Sequence, residues 1–387
     1  MSAPTGMDAA LARSFERITG TALGSYQTAV VRIGIAGTWF LLLLREWPNR
    51  HELYGPDGPF SWDMAATWMA ANGAFSVLTW SDDVLWFELG YHFAMAAGLM
   101  LLLGWRTRTA SVLFMIGVLS VQNRNTFVGD GGDNVLHLMA IYLVATRCGQ
   151  VFSLDSRSRR LQAVRGSELG SDSVGVVLWA VSGIALAVVT ALGLLSWGWV
   201  LIFWLLWLAQ AVWWVIQGQG DGEPRTVCEM VGNLVHNGAL LVIIVQVCLL
   251  YATAGWYKIQ GVRWQDGTAA YYPMQVDAFT PWPALSDALS SYGLPVLLMT
   301  YGTVIVQVAF PFTLFNRRVK NVMLALLIGE HLGIAVLLGL PFFSLAIIAA
   351  DLIFLPTNLL RWLERKVTRP IRRRQPAEPA ATTLIST

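Results

Sequence analysis

Charge is scarce in this chain. Of 387 residues only 13% are Asp, Glu, Lys or Arg, against roughly 25% in an ordinary soluble domain, which excludes a conventional water-soluble globule. The formal net charge is +2 and no basic stripe alternates with aromatics, so a nucleic-acid binder is excluded as well. Cysteine is nearly missing: Cys148, Cys228 and Cys248 are the only three, with no CxxC spacing. Neither a disulfide framework nor a metal site is expected. Lysine is scarcer than arginine throughout, confined to Lys258, Lys320 and Lys366. Residues 1–28 lack an apolar core and a small-residue cleavage site, so they do not read as a secretory signal. Leu11, Phe15 and Ile18 recur there near helical spacing.

Apolar residues fill the space that charge leaves. Hydrophobic residues make up 55% of the chain, with 18 Trp and a mean hydropathy of +0.54. A transmembrane helix needs about 20 mostly apolar residues. By that measure ten spans are expected: 29–45, 84–103, 110–128, 134–148, 174–196, 199–216, 231–254, 293–315, 321–340 and 342–359. The fold class is therefore all-α, a polytopic membrane bundle with lipid as its principal partner. A segment at 1–28 precedes the membrane domain of 29–362, and 363–387 reads as a basic, disordered tail.

Loop charge gives the expected orientation. Arg13 and Arg17, Arg106 and Arg108, Arg147 to Arg165, Arg317 to Lys320, and Arg365 to Arg374 all fall on one side of a ten-span chain. Opposite loops are acidic or mixed, at Glu46–Asp83, Asp130–Asp133 and Asp266–Asp287. Basic loops stay inside, so a multi-pass protein of the cell membrane with both termini cytoplasmic is expected. Two outer segments, 46–83 and 255–292, are too long for plain turns. The stretch from Trp62 to Trp80 fits an interfacial helix.

Charged groups near a bilayer centre cost about 2.5–3.5 kcal/mol each and need a reason. Arg32, Glu88, His92, Glu330, His331 and Asp351 all fall inside expected spans. One reading is structural, with Arg32 paired to Glu330, Asp351 or Glu88; the other is a polar cavity in the bundle. At the outer ends stand Gln122-Asn123-Arg124-Asn125, Asp130 to Asp133 with His137 a turn later, and Trp256-Tyr257-Lys258. Asp133 also fits a plain helix N-cap, and a helix-end lysine is commonly an interfacial anchor. Lys258 is nevertheless the only lysine on the expected outer side, flanked by Trp256, Tyr257 and Trp264. A desolvated lysine can surrender its proton and serve as a base, which arginine cannot.

Four segments then carry a resemblance. They are Arg32-Ile33-Gly34 with Leu53 to Gly58; Gly132 to His137 through Phe152 to Asp155; Gln246 to Tyr251 through Gly255-Trp256-Tyr257-Lys258 to Gly267; and His331 through Phe342-Phe343 to Pro356. In this order they resemble the membrane domain of vitamin K-dependent gamma-carboxylase and the related horizontally transferred transmembrane (HTTM) proteins. The resemblance implies a lyase-like site in which Lys258, after Ala254-Gly255, is the base that deprotonates reduced vitamin K or menaquinol. It implies catalytic roles for Asp133 and His331 beside it. His137, Arg124, Trp256, Tyr257 and Trp264 would contact the substrate. Where the animal enzyme uses a histidine for carboxylation, this sequence carries Asp133, and no lumenal propeptide-binding domain is expected. Two other readings stand beside this one. A non-enzymatic membrane partner would bind or confer immunity to a secreted peptide or engage another membrane protein, and a transporter would line its path with the intramembrane charges.

Overall fold

Long apolar runs leave the backbone no hydrogen-bonding partner in lipid except itself, and helices follow. The computed structural model describes residues 6–165, 173–218 and 222–372, and every regular element among them is helical. The first eight helices are α1 (Gly6–Gly20), α2 (Ser25–Glu46), α3 (Arg50–Tyr54), α4 (Trp62–Asn72), α5 (Val84–Leu103), α6 (Thr107–Arg124), α7 (Gly131–Val144) and α8 (Leu154–Arg165). Next come α9 (Ser173–Ala191), α10 (Trp197–Gly218), α11 (Glu223–Gln260), α12 (Val262–Gln265) and α13 (Pro283–Ser290). The chain continues with α14 (Gly293–Ala309), α15 (Arg317–Leu337), α16 (Pro341–Asp351) and α17 (Thr357–Arg372).

Each expected span coincides with a helix, but the number long and apolar enough to cross a membrane is smaller. Seven qualify among the described residues, beginning at Ser25, Val84, Ser173, Trp197, Glu223, Gly293 and Arg317, or eight if a bent pair counts as one. The difference from ten lies in α6 and α7. Both are packed inside the bundle, so protein rather than lipid surrounds them and their sequences need not be uniformly apolar. Helix α7 has 14 residues, about 21 Å at 1.5 Å per residue, short of a hydrocarbon core of about 30 Å. The bent pair is Pro341–Phe354 with Thr357–Lys366, which meet at 106°. Helix α17 therefore turns away instead of completing the span. It exposes Leu359, Trp362 and Leu363 beside Arg361, Arg365 and Lys366, the pattern of a helix lying in an interface. The boundary expected at 362 falls inside this helix, which runs to Arg372. The rest of that tail, 373–387, lies outside the described residues.

Small residues set the tightest contacts. A Cβ on Gly34 of α2 would stand 2.6 Å from the Cβ of Ala349 on α16, and one on Gly117 of α6 would stand 2.9 Å from Ala94 Cα on α5. Such close approach is how membrane helices gain packing without a hydrophobic drive between them. Trp39, Tyr91 and Phe114, almost wholly buried, fill the space among α2, α5 and α6. Helices α9 and α10 are peripheral, with only 11% and 6% of their apolar windows buried. Their hairpin is clasped by stacked Trp179 and Trp207, 4.0 Å between ring centroids.

The basic segments gather at one end. On α11, Asn233, His236 and Asn237 bond the backbone of the α1–α2 connection, including Asn233 to Thr19 O (2.8 Å) and Leu23 N to Asn237 Oδ1 (2.8 Å). Arg160 of α8 pairs with Glu364 of α17 at 3.0 Å, and Tyr26 of α2 donates to the same carboxylate at 2.6 Å. At the opposite end the segment from Glu46 to Asp83 folds over α6. Helix α4 buries Ala65 and Met69 while exposing Met64 and Trp68. It is capped by Ser61, which accepts from Met64 N, and closed by Gly73 in the left-handed region (φ 60).

Candidate functional site

Lys258 is placed by a glycine. A Cβ on Gly255 would lie 2.6 Å from Val308 Cγ2, so the bare backbone lets α11 and α14 touch. One turn later on α11, Lys258 Nζ donates to Gln307 Oε1 at 2.7 Å. The ammonium also lies 5.3 Å from the centre of the Trp264 ring, within the range of a cation–π contact. Gln307, 5% exposed, passes the contact on by donating its Nε2 to Glu330 Oε1 at 2.5 Å. The other oxygen of that carboxylate, Glu330 Oε2, has no hydrogen-bond partner among the described residues.

His331 follows Glu330 on α15 and is 3% exposed. Its ring lies 6.3 Å from Tyr251 and 5.8 Å from Phe343. Neither ring nitrogen has a protein partner. Tyr251 donates to Asp351 Oδ2 at 2.8 Å. The structure thus links Lys258 to Glu330 through Gln307 and Tyr251 to Asp351; His331, next to Glu330 in the chain, packs its ring beside Tyr251, and neither Gln307 nor Tyr251 was singled out as a site residue. A single amide in the apolar run Val304–Ala309 was the available signal for Gln307.

Asp133 belongs to a different arrangement. Asp130, not Asp133, is the N-cap of α7, accepting from Gly132 N at 2.6 Å and Asp133 N at 3.2 Å. Asp133 closes the reciprocal capping box by accepting from Asp130 N at 2.8 Å. Gln122 donates to the Asp133 carbonyl at 3.0 Å, and its Oε1 accepts from His137 Nδ1 at 3.2 Å. No hydrogen bond or ion pair joins Asp133 to Lys258 or His331 among the described residues. Phe343 is the link between the two groups: it touches His331 and also packs on Gly131 and Gly132.

The remaining candidates have other tasks. Arg124 is 1% exposed and donates to the carbonyls of Phe60 (3.0 Å) and Gly55 (2.6 Å). It anchors the outer segment and is committed there rather than facing a substrate. Trp256 and Tyr257 are 63% and 76% exposed and point away from the cluster. Among the described residues Arg32 makes no carboxylate pair. Its guanidinium donates to the carbonyls of Leu101, Leu102 and Phe152, placing a cation at the C-terminal end of α5, where the helix dipole favours it. Nearby, Asp155 accepts from Arg106 N (2.8 Å) and Thr107 N (2.7 Å) and caps α6. Glu88 pairs instead with Arg50 and His51, both at 2.7 Å, and His92 at 3.2 Å. In the outer cap, Asp266 is held below the usual carboxylate range by the Thr268 hydroxyl first of all.

Among the described residues no group of three or more His, Cys, Asp or Glu side chains is arranged to hold a metal ion. Fold and geometry define an all-α polytopic membrane bundle with a buried polar row beside one lysine. Compared with known proteins, the chain matches no family model, no curated protein and no solved structure.

Proposed function

We propose that this chain is a bacterial HTTM-type membrane protein, similar to the membrane domain of vitamin K-dependent gamma-carboxylase, with Lys258 as a base acting on a hydroquinone such as menaquinol or reduced vitamin K. The observation that carries the reading is the setting of Lys258. It is a lone lysine at the end of a spanning helix, fixed by Gln307 and faced by the Trp264 ring. The aromatic face and the amine fit a flat diol that arrives from the bilayer.

When bound, a hydroquinone supplies an acidic phenol and reducing electrons. The protein's part is to take the phenolic proton on the Lys258 amine while Gln307 fixes its position and Trp264 limits water. His331 and Phe343 stand deeper along the same row. Asp133 acts at one remove, by setting the start of α7 against Phe343. The row is assigned to the outer leaflet of the cell membrane because the basic segments collect at the opposite end, with both termini cytoplasmic.

Quinol turnover by purified wild type and Lys258→Ala tests the proposal. Positioned general-base catalysis contributes about 10²–10⁴-fold, so the variant should lose roughly 100-fold or more. Equal turnover removes Lys258 as the base. Specific capture of a secreted peptide by protein without quinol turnover would favour the binding reading.

A further inference from the structure

The polar row does not stop at the end of the bundle. Tyr251 lies seven residues before Lys258 on α11, about 10 Å along the axis at 1.5 Å per residue. Its partner Asp351 is the last residue of α16. Ser344 stands seven residues before Asp351, two turns away on nearly the same helix face. His331 is 3% exposed, and Ser344 and Asp351 are each 0% exposed. Yet both His331 nitrogens, Ser344 Oγ and Asp351 Oδ1 have no protein partner. Arg32 and Arg124, equally buried, have their terminal guanidinium nitrogens tied to backbone carbonyls, although Arg32 Nε has no partner.

An amine, two carboxyl groups, an imidazole and a phenol are thus gathered from three helices, α11, α15 and α16, each able to take or release a proton. Cys248, one turn before Tyr251, is the other titratable group near Asp351. Ionisable groups grouped inside a membrane bundle mark ion and proton paths.

We propose that Lys258, Glu330, His331, Tyr251 and Asp351 form one proton-exchange network that runs from the end of α11 into the bundle, with the Tyr251–Asp351 pair as its inner terminus. The ligand is the proton. A proton accepted at Lys258 redistributes over the carboxyl and imidazole groups; only N–H and O–H bonds form or break, and no electron moves. The network would receive what Lys258 removes from a quinol, but its test needs no quinol, so the two readings fail separately.

The full chain is placed in lipid nanodiscs and its carboxyl infrared bands are followed as pH is stepped. Asp351→Asn should remove one component, and Lys258→Met and Glu330→Gln should each move the midpoint of that component by about one pH unit, a tenfold change in proton affinity. An Asp351 component that titrates identically with and without Lys258 and Glu330 overturns the network. Tyr251→Phe removes only the hydroxyl that Asp351 accepts from and serves if Asp351→Asn does not fold. It should displace the same component, and an unmoved component there overturns the inner terminus.

Discussion

Replacing Gly255 with alanine adds a single methyl group where α11 meets α14. The new carbon would stand 2.6 Å from Val308 Cγ2, 3.3 Å from Val308 N and 3.5 Å from Val308 Cα. Carbon atoms settle at about 3.5–4.0 Å, so roughly 1 Å or more must be found. Val308 cannot supply it by rotation, because a β-branched side chain in a helix has essentially one χ1. Its backbone amide closes the other direction. The helices must separate, at a cost of about 1–3 kcal/mol for overpacking. At about 2–4 °C per kcal/mol the midpoint of unfolding falls by about 2–12 °C. A thiol-reactive dye reports it, since Cys148 is 1% exposed in the folded chain. Gln307 adjoins Val308, so the same separation lengthens the 2.7 Å bond to Lys258. Val308→Ala removes the clashing Cγ2 and should restore stability to Gly255→Ala, with a coupling of about 0.5–3 kcal/mol in the double-mutant cycle. A Gly255→Ala chain as stable as wild type, or one that Val308→Ala does not rescue, refutes the reasoning.

Arg32→Met should destabilise the chain by about 3 kcal/mol or more, because it strands the carbonyls of Leu102 and Phe152 in the bundle, Leu101 keeping only its bond from Gly104 N. Arg32→Lys should recover only part of this in the same dye assay, lacking the planar fork that reaches several acceptors. Asp133→Ala should cost about 0.5–2 kcal/mol through loss of half the capping box, and Asp133→Asn, which still accepts from Asp130 N, should restore most of it. A stable but quinol-inactive Asn variant would return Asp133 to the chemistry.

The spanning helices were legible because lipid imposes one solution on an apolar run. Their count was less so: 110–128 and 134–148 read as spans, yet α6 and α7 are wrapped by protein and freed from the requirement to be long or uniformly apolar. Polar partners were harder. Arg32 looked as though it needed a carboxylate, yet its acceptors are carbonyls at the end of α5 and in the loop at Phe152, brought together only by the tertiary fold. Asp133 was visible as a helix-start residue, but Asp130 and Asp133 share the task, and three-residue spacing alone did not separate the cap from its reciprocal partner. Lys258 stood out by rarity. Gln307, its actual partner, lies 49 positions away and carries no charge to draw attention. Trp264 was separated from Trp256 and Tyr257 only by the turn at Gly261, which folds the chain back over the lysine.

The polar residues of this bundle differ in how fully they are used, and that difference is where function becomes readable. Asn233, His236 and Asn237 of α11, Arg124 at the end of α6 and Arg32 of α2 bond backbone groups of neighbouring segments. Removing any of them strands an acceptor or donor, so folding alone accounts for their presence. His331 and Asp351 sit within the bundle and retain unsatisfied atoms, which folding alone would penalise, since apolar residues of similar volume would pack there without that loss. A protein that keeps such groups in its interior gains something other than stability from them. His331 packs beside Tyr251, the partner of Asp351, and follows Glu330, which Gln307 ties to Lys258; this is the placement on which the proposed proton-exchange network rests.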